Sequence, residues 1–142
     1  MKHSKKVWYA PNKFEAYGEE EIKAVEACLR DGWLAGFGPR SVEFEEKIAK
    51  RFGKKYGVFV NSGSSACLLA IAALDLPKGC KIITPACTFS TTLAPIIQLG
   101  FVPLFCDVGL KSYVPNIKDI IELINDDVKA IMVPNLIGNK PD

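Results

Sequence analysis

The sequence predicts an α/β fold built on a largely parallel sheet covered on both faces. From residue 56 onward, short apolar runs alternate strictly with helical segments. Those runs lack the apolar–polar alternation of a half-exposed strand. The loops between them are short. At 142 residues the chain is long enough for one domain with a real core and too short for two.

Residues 1–18 read as an irregular arm, broken by Pro11 and Gly18, and residues 19–142 as the domain. Ile22, Val25, Ala27, Cys28 and Leu29 recur at helical spacing between Glu19 and Arg30, with acids at the start and a base at the end, as the helix dipole prefers. A Gly-rich loop with Trp33 and Phe37 runs from Asp31 to Pro39. Ser41 is the expected N-cap of a second helix, with Phe44, Ile48 and Phe52 on one face and Gly53 at its end. Tyr56–Val60 reads as a buried strand ending in Asn61-Ser62-Gly63. A small-residue helix follows over Ser64–Leu74, then a strand over Lys81–Thr84 and a helix over Thr91–Leu99. Val102–Asp107 is a strand, Ile117–Asn125 an amphipathic helix and Val128–Pro134 a last strand. From Leu136 the chain reads as a loop leaving that strand with no closing helix, so the end is expected to be unfinished.

Composition narrows the function classes. The chain is 49% hydrophobic and 24% charged, ordinary for a globular protein, and its net charge of +2 gives no reason to expect nucleic acid or a membrane surface as partner. Lys2, Lys5 and Lys6 read as a solvated arm. No stretch approaches the roughly 20 apolar residues of a membrane span, and the start does not resemble a signal peptide. Five cysteines, without a close C-x-x-C pair, read as buried thiols of a cytoplasmic protein rather than a metal site.

The chemistry concentrates at strand ends, where open parallel sheets bind ligands. Asn61-Ser62-Gly63-Ser64-Ser65-Ala66 joins a strand to a helix. Gly63 permits a tight bend, the Ser64 and Ser65 hydroxyls can donate, and the N–H groups of the helix start point at one spot. That makes an anion site, or else a plain serine cap. The turn fits neither G-x-x-x-x-G-K-[ST] nor G-x-G-x-x-G. Phe89, at the next strand end, can stack on a flat ring or pack into the core. Asp107 is a polar contact or a turn former.

These segments resemble the DegT/DnrJ/EryC1/StrS family. The resemblance rests on Gly38-Pro39, the 61–66 turn, Ile83-Thr84-Pro85-Ala86-Cys87-Thr88-Phe89, Gly100-Phe101-Val102-Pro103-Leu104-Phe105-Cys106-Asp107 and Lys129-Ala130-Ile131-Met132-Val133-Pro134, in the family's order. It implies the amino-terminal part of the large domain of a fold type I enzyme, aspartate aminotransferase-like, with a parallel or mixed sheet flanked by helices. The implied cofactor is pyridoxal 5'-phosphate (PLP) or pyridoxamine 5'-phosphate (PMP), and the implied substrate a nucleotide-linked keto-deoxysugar. Phe89-Ser90-Thr91-Thr92 with Pro95, and Leu136-Ile137-Gly138-Asn139, are most similar to the CDP-4-keto-6-deoxyglucose 3-dehydratases of lipopolysaccharide synthesis. Cys67, Asn135 and Lys140 depart from that branch, and a nucleotide-sugar aminotransferase is the alternative.

By the same resemblance, Gly63, Ser64 and Ser65 hold the cofactor phosphate and Phe89 stacks on the pyridine ring. The Gly36–Pro39 loop lies near a subunit boundary of a homo-oligomer, and Thr88 and Asn139 are weaker pocket candidates. The acid that keeps the ring nitrogen protonated, and the Schiff-base lysine or the histidine that replaces it, fall beyond Asp142 in the family pattern. No residue of this chain is therefore assigned as catalytic, since His3 and the lysines match none of those positions. The 142-residue chain is expected to be inactive alone, and a non-catalytic binding or assembly module is the alternative outside the enzymes.

Overall fold

The computed structural model describes residues 16–33 and 37–141, so the basic arm with His3, and Gly36, lie outside the described residues. The chain divides into two compact units, Met1–Phe59 and Val60–Asp142.

The first unit holds α1 (Glu19–Asp31) and α2 (Pro39–Arg51). Glu19, Glu20 and Glu21 occupy the first turn of α1, and Glu21 Oε2 accepts the Gly18 N–H at 2.7 Å. The helix stops at Gly32, whose φ of 71° is the left-handed conformation glycine takes without strain. In α2 the cap is Gly38, followed by Pro39, rather than the expected Ser41. Proline's locked φ already suits the first helical position, where its missing N–H is not needed, so the helix starts three residues early.

The second unit begins with α3 (Gly63–Ala72), followed by β1 (Lys81–Pro85), α4 (Ser90–Gln98), β2 (Val102–Cys106), α5 (Ile117–Leu123) and β3 (Val128–Ile131). The strands form a parallel sheet in the order β2-β1-β3. Against β2, the β1 register runs from Lys81↔Val102 to Pro85↔Cys106. Against β3 it shifts after Lys81↔Val128, so Ile82 faces Ala130 and Lys129 is the extra residue of a bulge. Pro103, which cannot donate to a ladder, sits on β2, flanked on one side only. Central β1 carries Ile82, Ile83 and Thr84, all fully buried, which is why its sequence shows no alternation. Ile71 of α3, Ile82 of β1 and Ile96 of α4 form the core with Cys80 and Phe101, and Leu76, Leu99, Ala130 and Met132 pack around it.

One expected strand is not formed. Tyr56–Val60 makes no ladder with any strand of the described residues, and Tyr56, Val58 and Phe59 are exposed. Apolar, β-branched content suits a strand, but a strand exists only where a neighbour takes up its backbone groups. The Phe59 N–H goes instead to Glu45 Oε1 at 2.6 Å. Elsewhere the ends are trimmed. β2 stops at Cys106, because Asp107 turns its carboxylate onto the Val108 N–H at 2.8 Å. α5 stops at Leu123, because Asn125 Oδ1 caps the Asp127 N–H at 3.0 Å.

Candidate functional site

Two helix starts build the site. Ser62 is the N-cap of α3, its hydroxyl oxygen accepting the Ser65 N–H at 3.1 Å. The first intrahelical acceptor, the Ser62 carbonyl, takes the Ala66 N–H at 3.0 Å. The N–H groups of Gly63 and Ser64, at the first two helical positions, are left without an acceptor among the described residues. They carry the positive end of the α3 dipole.

α4 starts directly after the loop that leaves β1. Its N-cap is Phe89, which offers no side-chain cap; the residue is 68% exposed and stands outside the core of residues 60–141. On the same loop the Thr88 hydroxyl oxygen is buried and has no hydrogen-bond partner, and neither has Thr84 Oγ1 on β1. A buried hydroxyl left unpaired costs about 1–3 kcal/mol, so each marks a place where a partner would be gained.

The two helices pack side by side. Between them lies an open cleft of about 220 Å³ lined by Ser64, Ser65 and Leu68 of α3 and by Thr91, Ala94, Pro95 and Gln98 of α4. No charged side chain lines it, so the attraction for an anion comes from the helix start. Pro95 lies inside α4 and has no N–H, so the carbonyl one turn back, on Thr91, loses its usual donor.

Of the residues the sequence singled out, Ser64 and Ser65 meet in this cleft, Gly63 begins the same helix and Phe89 begins its neighbour. Asn139 does not join them: its amide donates to the Ser112 carbonyl at 2.8 Å and ties two loops together. The sequence reading missed Ser62 as the cap, and Thr91, Pro95 and Gln98 as lining. Only the proline, inside an otherwise helical pattern, signalled an irregularity.

The cysteines are unevenly placed. Cys80 and Cys106 are buried and Cys28 and Cys67 half-buried, while Cys87 is exposed on the loop after β1, against the expectation of burial. Burial pushes the Cys106 thiol above its ordinary value, with smaller contributions from Asp119 and Asp107, and its Sγ–H points at the Thr84 carbonyl at 3.6 Å. It is a structural thiol rather than a nucleophile.

A serine-rich helix start beside an exposed aromatic, on a parallel sheet, is the arrangement the sequence resemblance requires. The chain belongs to the DegT/DnrJ/EryC1/StrS aminotransferase family, which it matches over residues 15–142. Among curated family relatives, the GDP-4-keto-6-deoxy-D-mannose 3-dehydratase of Escherichia coli O55:H7 is 38% identical over 135 residues, covering 91% of this chain and 34% of its own. The dTDP-4-dehydro-2,3,6-trideoxy-D-glucose 4-aminotransferase of Saccharopolyspora spinosa is 32% identical over 124 residues, covering 86% of this chain and 32% of its own. The solved structure of the E. coli GDP-4-keto-6-deoxy-D-mannose-3-dehydratase with bound hydrated PLP superposes with a TM-score of 0.77 at 36% identity, over 82% of this chain and 31% of that one. The chain thus spans about a third of the length of these relatives, and the match falls in their amino-terminal part. The dehydratase named here acts at the same position of a 4-keto-6-deoxy sugar as the CDP-linked enzymes of the sequence resemblance, on a GDP-linked sugar instead.

Proposed function

We propose that this chain supplies the cofactor-phosphate part of the active site of a PLP- or PMP-dependent 3-dehydratase acting on a nucleotide-linked 4-keto-6-deoxy sugar, in deoxysugar or lipopolysaccharide synthesis. The observation that carries this is the start of α3, where the Gly63 and Ser64 N–H groups lack acceptors next to the start of α4 and its exposed Phe89.

The residues present fit the cofactor. A dianionic phosphate would take the Gly63 and Ser64 N–H groups and the Ser64 hydroxyl, at the positive end of a helix. A flat pyridine ring would lie on Phe89, with the unpaired Thr88 hydroxyl on the same loop. When bound, the cofactor supplies an electron sink for the substrate's reacting carbons. The chain's own contribution is to anchor and orient. The groups that move protons are assigned to none of its residues.

Phosphate recognition is tested by titrating the protein with PMP and with pyridoxamine lacking the phosphate. PMP binds, pyridoxamine binds at least about tenfold more weakly, and the 31P resonance shifts. Equal binding of the two ligands would sink the proposal. The second reading, an aminotransferase, is favoured by the relative from Saccharopolyspora spinosa. Mass spectrometry of the product separates them in the enzyme that carries this segment: a 3-deoxy sugar for the dehydratase, an amino sugar for the transferase.

A homo-oligomer, with the Gly38-Pro39 loop near its boundary, and a cytoplasmic location complete the proposal. No helix among the described residues is long and apolar enough to cross a membrane.

A further inference from the structure

The three serines of the 61–66 turn are not equivalent. The Ser65 N–H donates to Ser62 Oγ at 3.1 Å, so the Ser62 hydroxyl proton points onward, to Ser65 Oγ at 3.1 Å. The Ser65 hydroxyl has then accepted one bond, and it donates its own proton to Asn61 Oδ1 at 2.7 Å. The relay runs one way, from Ser62 through Ser65 to Asn61. Ser64 takes no part in it, although both Ser64 and Ser65 line the cleft beside α4.

We infer that Asn61 is a positioning residue that sets the direction of this relay. Its carbonyl oxygen takes the Ser65 proton, which makes Ser65 an internal strut. Ser64 is then the one serine of the three with a hydroxyl proton left for an anion in the cleft. An asparagine turned the other way would present its NH₂ to Ser65 and reverse the relay, so that Ser65 donates to Ser62 Oγ and the Ser62 proton is the one set free; the side chain at 61 thus decides which hydroxyl protons stay inside the turn. This rests on the reading of the turn as a phosphate site, but the strut makes claims of its own that need no ligand.

The strut is read first, by thermal melts of a double-mutant cycle on the full chain without cofactor. Asn61→Ala and Ser65→Ala each lower the melting temperature by about 3–5 °C. The double variant falls no further than the larger single loss, because both remove the same bond. Asn61→Asp, which keeps the acceptor oxygen, retains most of the stability, and Ser64→Ala melts within about 1 °C of the parent chain. Fully additive losses from Asn61→Ala and Ser65→Ala would overturn the relay. PMP titration reads the donor assignment: Ser64→Ala weakens binding about tenfold. Unchanged affinity in Ser64→Ala, with the loss appearing in a Ser65→Ala chain of unaltered melting temperature, would overturn it too. If the parent chain binds neither PMP nor inorganic phosphate while the cycle still shows coupling, the phosphate reading fails and the strut stands.

Discussion

In residues 60–141, Ile82, Ile83 and Ile96 are completely withdrawn from water, and two helices and a sheet share one core. In residues 16–59, Ala49 is the one buried apolar side chain among the described residues, while Val25 and Leu29 on α1 are each 61% exposed. The helices α1 and α2 each carry an apolar stripe, while α3 is apolar nearly all round after its serines. Spacing alone sets where a helix forms and which stripe is apolar. Whether an apolar face leaves water depends on a second element to receive it: α3 and α4 pack on each other, α4 packs on β1, and Ile71 of α3 shares a core with Ile82. The candidate site stands on the stretch with the core, so the start of α3 is held by packing as well as by its cap, and the start of α4 by packing.

The largest expected effect separates the two stretches directly. Ile82→Ala removes a fully buried side chain from the centre of the sheet and costs about 2–5 kcal/mol in urea unfolding followed by circular dichroism. Val25→Ala, on an exposed stripe, changes stability by less than about 0.5 kcal/mol in the same measurement. Equal losses at both positions would break the comparison.

A middle effect tests whether residues 16–59 hold any tight contact of their own. A Cβ at Gly57 would stand 2.6 Å from the Glu45 carbonyl oxygen, which is backbone and cannot swing aside. Gly57→Ala is expected to cost about 1–3 kcal/mol locally. It also loosens the bond from the Phe59 N–H to Glu45 Oε1 and the edge-to-face contact of Phe44 with Phe59, whose centroids are 5.3 Å apart. Faster hydrogen exchange at the Phe59 amide would report this. An unchanged rate would mean that 56–60 is held no more firmly than the stripes around it.

The smallest effect sharpens the contrast within the sheet stretch. Because the Cys106 thiol is pushed up by burial, the unfolded chain loses this proton first. The stability that Cys106 contributes is complete below the ordinary thiol range and is lost as the pH rises through that range toward the folded value. Cys106→Ser, which does not titrate there, should flatten the alkaline limb of the stability curve. Iodoacetamide should modify exposed Cys87 well before Cys106. Equal rates of modification would show that this end of the sheet opens readily.

The sequence by itself determined the order of helices and strands from residue 63 onward, the buried character of β1 and the 61–66 turn as the start of a helix. Those features are local: side-chain periodicity, a glycine at a bend and serines at a cap act within a few residues of one another. Only the tertiary structure decided that Phe89 faces outward, that Thr88 keeps a buried hydroxyl unpaired, that Thr91 and Gln98 join Ser64 and Ser65 in one cleft, and that Tyr56–Val60 stays out of the sheet. An aromatic at a strand end looks the same in sequence whether it packs or stacks, and an apolar run becomes a strand only when a neighbour pairs with it. These outcomes depend on which segments meet across the fold, and that is set by packing between elements far apart in the chain.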